Sequence, residues 1–209
     1  PFEKEYLPVT RQELGLPSEG PLILCPQSAF KYHPDFDEAL AQILRKLPNA
    51  TIALSAGTEP HWNELLTNRF KQTMPTGFER IFLLPRVEYE KYRGLLALAD
   101  VIIDPKHFTG GHTTYMAFSV GTPVVTWIGD RMSGRMTYGL YSQMGLTPLA
   151  AETPEEFSEL VGKVVENPDY REELKTQINS NSDKLFDDIE SVREFESVIQ
   201  SRINASFTQ

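Results

Sequence analysis

The run Pro105-Lys106-His107-Phe108-Thr109-Gly110-Gly111-His112-Thr113-Thr114 places a glycine pair just ahead of a histidine and two threonines. Glycines let a backbone approach a ligand closely. Amides at a helix start point outward with the positive end of the dipole behind them, and two hydroxyls can donate to phosphate oxygens. Gly110, Gly111, His112, Thr113 and Thr114 are therefore candidate anion ligands. The same run also fits a helix capped by Thr113 beneath a flexible loop, and spacing alone does not separate the two. A second run, Pro26-Gln27-Ser28-Ala29-Phe30-Lys31-Tyr32-His33-Pro34, offers Lys31 to neutralise a diphosphate and Gln27 to orient it, although most loop lysines are simply solvated. A third, Pro85-Arg86-Val87-Glu88-Tyr89-Glu90-Lys91-Tyr92, puts aromatic rings beside a backbone stretch that could hydrogen-bond a base edge. Aromatics in such a place are more often core packing.

Other chemistries lack their residues. No GxGxxG follows the first apolar run and no GxxxxGK[ST] occurs, so the dehydrogenase and P-loop readings fall. Asp35-Phe36-Asp37 imitates the metal-binding DxD of sugar transferases, but it follows His33-Pro34 and opens a helix, where acids favour the dipole. The four histidines and single cysteine lack the close pairings of a zinc site, so no metal is expected. Cys25 sits in the apolar run LILCP and reads as a small buried side chain, which suits a reducing compartment. Asn49-Ala50-Thr51 and Asn204-Ala205-Ser206 match the glycosylation pattern, but the start PFEKEYLPV has no signal-peptide layout to give them meaning.

The elements that must position these runs are legible as alternating strands and helices. Strands are expected at residues 21–25, 50–54, 80–84, 100–104 and 123–127, with a short sixth at 148–150. Between them lie helical stripes: Phe36, Leu40, Ile43, Leu44 and Leu47; Trp62, Leu65, Leu66 and Phe70, with Pro60 in the first turn; residues 88–98; and residues 113–120. Short, continuously apolar strands are those covered on both faces, which predicts an α/β fold with a doubly wound parallel sheet. Ligands of such sheets bind beyond the strands' carboxyl ends, where all three chemical runs fall. Thr153-Pro154-Glu155-Glu156 and Asn167-Pro168 read as helix starts, and Leu185, Ile189, Val192, Phe195 and Ile199 give a last amphipathic helix that must lie on something. The expected layout is a leading linker over 1–20 with a helical turn or two, an α/β domain over 21–152, and helices over 153–209 packed on the same lobe.

At 209 residues, 40% hydrophobic and 23% charged, the chain has the balance of a soluble globular domain, and no membrane span is available. Cytoplasmic residence follows as an expectation. A net charge of −9 repels a nucleic-acid polymer yet leaves room for a small anion in a locally positive pocket. The start at Pro1, without methionine, reads as a piece of a longer protein.

With the pieces in order, CPQSAFKYHPDF, LPRVEYEKYRGLLALADVIIDP and GGHTTYMAFSVGTPVVTWIGDRMSGRMTYGLYSQMGL, the sequence resembles the catalytic region of the O-linked N-acetylglucosamine transferases and the related SPINDLY-type transferases. The likeness runs from about residue 21 to 150. It implies the carboxyl-terminal Rossmann-like lobe of a two-lobed GT-B glycosyltransferase. That lobe binds a UDP-sugar, UDP-N-acetylglucosamine above all, for metal-independent transfer to a protein Ser/Thr hydroxyl. The acceptor is presented by an N-terminal lobe and often by helical repeats.

Carried over position by position, the resemblance puts Gln27 and Lys31 at the diphosphate, with Lys31 stabilising charge on the leaving nucleotide. Tyr92 stacks on the uracil, the main chain at Val87 and Tyr89 pairs with the base edge, and Thr113 and Thr114 hold phosphate oxygens beside His112. Two departures stand out: the family's ribose-binding aspartate is replaced within Tyr115-Met116-Ala117, and the Gln27 to Lys31 spacing differs by one residue from the best-known members. Two other readings stay open, a nucleotide- or phosphate-binding module of a larger repeat protein that has lost turnover, and an unrelated flavodoxin-like receiver.

Overall fold

The computed structural model of the chain describes residues 6–206. Six strands are present among them: β1 (Leu22–Cys25), β2 (Thr51–Ser55), β3 (Ile81–Leu84), β4 (Val101–Asp104), β5 (Val124–Trp127) and β6 (Ala150–Ala151). They form one parallel sheet in the order β3-β2-β1-β4-β5-β6. Every residue of β1, β4 and β5 is buried, as both-face coverage by helices requires. The expected sixth strand is shifted and shorter, because only Ala150 and Ala151 find partners, opposite Thr126 and Trp127.

The connecting helices are α1 (Asp35–Lys46), α2 (Pro60–Thr73), α3 (Tyr89–Leu98), α4 (His112–Ser119), α5 (Met136–Met144), α6 (Pro154–Glu166), α7 (Pro168–Asn181) and α8 (Ile189–Ser206). The stripe of α1 buries Phe36, Leu40, Ile43 and Leu44. Phe36 meets Phe157 of α6 edge to face at 6.0 Å, joining the two helices. Asp37 is also buried and accepts from Nε and Nη2 of Arg69 on α2 at 2.9 Å each, so the second acid of the DxD-like run bridges two helices.

Helix starts behave as their residues dictate. Thr153, the N-cap, accepts from the Glu156 amide at 3.2 Å, while the Glu156 carboxylate accepts from the Glu152 amide one residue before the cap at 2.9 Å. Asn167 accepts from the Tyr170 amide at 3.0 Å. α5 is a helix the sequence reading leaves unassigned, although Leu140, Tyr141 and Met144 are buried along it and Gly145 ends it at a φ of 75°.

Residues 6–20 hold a hydrogen-bonded turn over 11–15 in place of the expected helical turn or two, with residues 1–5 outside the described part. This segment crosses α3 closely: a Cβ on Gly94 would stand 2.0 Å from the Leu7 carbonyl oxygen. At the other end, the stripe of α8 that must lie on something is bare, with Val192 48%, Phe195 66% and Ile199 43% exposed. Residues 207–209 of the expected C-terminal helical region lie outside the described part.

Candidate functional site

The strand order decides where a ligand can sit. From β1 the chain moves outward to β2 and β3, then returns to place β4 on the other side of β1. The loops after β1 and β4 therefore part in opposite directions and leave a crevice at the strands' carboxyl ends. Lys31 and Gln27 come from one of these loops, and Gly110 to Thr114 from the other.

The two loops are tied across the crevice by a polar chain. Lys31 Nζ donates to Gln27 Oε1 at 2.8 Å and to the Thr109 carbonyl at 3.1 Å, and Gln27 Nε2 donates to Thr113 Oγ1 at 2.9 Å. The amine also lies 4.2 Å from the centroid of the Phe108 ring, a cation–π contact. Burial lowers the Lys31 pKa while the charge of Asp104 opposes the fall. Both of these hydrogen bonds of the half-buried ammonium go to neutral carbonyl oxygens.

Gly110 is where the approach is closest. A Cβ there would meet Thr114 Oγ1 at 2.3 Å, Thr113 Oγ1 at 2.6 Å and Gln27 Nε2 at 2.7 Å. Its amide is committed, however: it donates to both carboxylate oxygens of Asp104 at 2.8 and 2.9 Å. Thr114 is buried, and its hydroxyl pairs with that of Thr137 at 3.0 Å, which in turn donates to Asp104 at 2.5 Å. Gly110 and Thr114 thus build the floor under the crevice, while Thr113 and His112 reach its wall.

Asp104, the last residue of β4, is completely buried beneath this floor. Burial pushes its carboxyl up to about 6, against the pull of Thr137, the Gly110 amide and Lys31. Sequence reading misses Asp104, Thr137 and Phe108. An acid ending an otherwise apolar strand just before a glycine pair is the signal that could have found the first.

Beside the polar chain opens a cavity of about 980 Å³, the size of a site for a nucleotide-like ligand. Val87, Tyr89 and Tyr92 all line it. Tyr92 donates its hydroxyl to the Pro26 carbonyl at 3.2 Å, and Tyr89 is 68% exposed at the rim. Another part of the lining is one the sequence reading passes over, Ser55 to Thr58 at the end of β2 together with Trp62. The rule that locates ligands at strand ends applied there too. Tyr32, also unforeseen, is buried, bonds the Gln27 and Cys25 carbonyls and accepts from the Ser55 amide at 3.0 Å, which fixes the loop after β1. Cys25 is fully buried, and burial pushes its thiol well up, so it is packing.

A family profile, glycosyl transferase family 41, matches residues 2–194. Among curated proteins, a probable UDP-N-acetylglucosamine–peptide N-acetylglucosaminyltransferase SPINDLY of Hordeum vulgare is 25% identical over 152 residues, covering 71% of this chain and 16% of that protein. Among solved structures, a mutant O-GlcNAc transferase of Thermobaculum terrenum superposes with a TM-score of 0.73 at 23% identity, over 90% of this chain and 37% of that one. Anabaena HepE in complex with UDP-glucose gives a TM-score of 0.65 at 17% identity, over 91% of this chain and 51% of that one. The chain therefore spans about half or less of the length of these proteins. These similarities fix the fold as the Rossmann-like lobe of a GT-B glycosyltransferase. No described helix is long and apolar enough to cross a membrane.

Proposed function

Because the chain belongs to glycosyltransferase family 41, we propose that its crevice holds the diphosphate of a UDP-sugar, UDP-N-acetylglucosamine, for transfer to a protein Ser/Thr hydroxyl. The observation that carries the reading is the Lys31–Gln27–Thr113 chain spanning the switch point beside a cavity of nucleotide size. The printed name of the barley relative and the UDP-glucose bound to HepE support the donor class. In this reading the uracil lies near Tyr92, Val87 and Tyr89, and the phosphates lie against Thr113, His112 and the first turn of α4.

The chemistry asked of this chain is stabilisation of a leaving group. The bond from the anomeric carbon to the diphosphate oxygen breaks, and its electron pair stays on the diphosphate. The acceptor oxygen forms the new bond and gives its proton to a base outside this chain. Lys31 and the helix start supply fixed positive charge where negative charge grows, a preorganised contribution of several kcal/mol in comparable sites, so the transfer step needs no metal. A cleft between two lobes implies that this lobe alone holds the donor without positioning an acceptor.

A second reading rests on Tyr115-Met116-Ala117, the stretch that stands where the family carries its ribose-binding aspartate and that offers no carboxylate to a ribose hydroxyl. A module that binds nucleotide without turnover would look the same in this respect. Calorimetry with UDP and UDP-N-acetylglucosamine tests the site: saturable binding of both is expected, and no heat with either removes the donor reading. In the longer parent protein, Lys31→Ala should lower turnover by about 10²-fold or more while weakening UDP binding much less. Equal turnover by variant and parent would take Lys31 out of the mechanism, and a parent that binds UDP without turnover would be the inactive module.

A further inference from the structure

The histidines that look scattered in sequence do not stay apart in the fold. His33, in the loop after β1, and His107, in the loop after β4, bring their rings to 4.3 Å between centroids, edge to face. Asp35, the first residue of α1, stands between them: His33 Nδ1 is 3.3 Å from Asp35 Oδ1, and His107 Nε2 is 2.8 Å from Asp35 Oδ2. One ligand atom from each residue lies within 4.8 Å of the others. None of the three lines the large cavity, and nothing in the donor reading uses them.

We propose that His33, Asp35 and His107 form a binding site for a divalent transition metal of the Zn²⁺ class, a clasp between the loops after β1 and β4. Ligand atoms around tetrahedral zinc sit about 2.0–2.1 Å from the ion, hence roughly 3.3 Å from one another. The spacings here, 3.3 and 2.8 Å with all three ligand atoms within 4.8 Å of one another, lie near that arrangement, and all three side chains are about half exposed. Two imidazoles and one carboxylate select a borderline metal over Mg²⁺ or Ca²⁺, which take oxygen ligands. Three protein ligands leave a fourth position for water.

The backbone is prepared on both sides. Pro34 locks the step from His33 into α1, and Ser133 Oγ donates to the His107 carbonyl at 3.0 Å to hold the second loop. Three contacts oppose the ion, the first being the His107 Nε2–Asp35 Oδ2 hydrogen bond at 2.8 Å, whose proton the metal must displace. His33 Nδ1 accepts from the Asp35 amide at 3.2 Å and must exchange that bond for the metal. Lys106 precedes His107 and its charge acts on Asp35, while its ammonium lies 5.2 Å from the Trp127 ring centroid. The clasp would join the same two loops that the Lys31 to Thr109 contact joins, with His33 two residues beyond Lys31 and His107 two before Thr109.

Cobalt titration of the untagged, chelator-treated chain reads the site without any sugar nucleotide. Visible d–d bands saturating at one equivalent of Co²⁺ are expected, and Zn²⁺ should displace them. His107→Ala and His33→Ala should each weaken Co²⁺ binding tenfold or more, a loss at least as large as outer-shell substitutions cause at other sites. His61→Ala serves as a control and should leave the titration unchanged. The positions are exposed, and thermal melts of the metal-free variants should overlay the parent. Absence of saturable binding, or binding that His107→Ala leaves intact, would overturn the clasp. An equal loss in His61→Ala would overturn it as well.

Discussion

Lys31 and Asp104 are two opposite charges that burial weakens in opposite senses, the lysine downward and the acid upward. The acid's rise from 3.8 to about 6 has a consequence for stability that can be signed. Between those values the native state holds a proton that the unfolded chain has released. The stabilising contribution is therefore complete below about pH 4 and is lost as pH rises through about 6. At about 1.4 kcal/mol per pH unit, the span is worth roughly 3 kcal/mol. Asp104→Asn removes the titration, keeps one oxygen for the Gly110 amide and offers an amide proton to Thr137. Unfolding in urea should show the variant gaining on the parent by about 2 kcal/mol between about pH 4 and pH 7.5. Parallel stability curves for the two proteins would mean that Asp104 does not titrate with folding.

At the scale of elements, the strands were readable because β1, β4 and β5 are buried on both faces and leave no polar alternation to confuse them. What could not be read is how neighbouring residues of one loop divide their labour. Gly110 and Gly111 are equivalent in sequence, yet a Cβ on Gly110 enters three polar side chains below 3 Å, whereas one on Gly111 meets the flexible end of Met136 at 3.1 Å. Thr113 and Thr114 likewise part, one on the cavity wall and one buried against Thr137. That division depends on α5, whose Thr137 comes from 27 residues beyond Gly110 in a stretch with no helix signal at its start. Gly110→Ala should therefore cost about 1–3 kcal/mol as overpacking and abolish nucleotide binding, while Gly111→Ala should stay within about 0.5 kcal/mol of the parent. Chemical denaturation and UDP calorimetry on both variants measure this, and equal losses would refute the assignment of the floor to Gly110.

For the whole molecule, the same apolar helical pattern has two outcomes that periodicity cannot tell apart. α6 and α8 both carry stripes in the sequence, but Phe157 of α6 is fully buried between Phe36 and Trp127, while Phe195 of α8 is 66% exposed. A stripe says that a helix has an apolar face, and only the fold says whether this chain supplies the surface beneath it. The energetic contrast is large. Phe157→Ala removes a ring from the core joining α1, α6 and β5, and large-to-small changes of that kind cost about 3–5 kcal/mol. The double change Phe195→Ser and Ile199→Ser touches side chains that meet solvent, so it should alter stability by less than about 1 kcal/mol. Paired urea titrations give both numbers in one experiment. A loss of several kcal/mol in the α8 double variant would mean that this helix folds back onto the lobe in solution, and the stripe would then belong to the core.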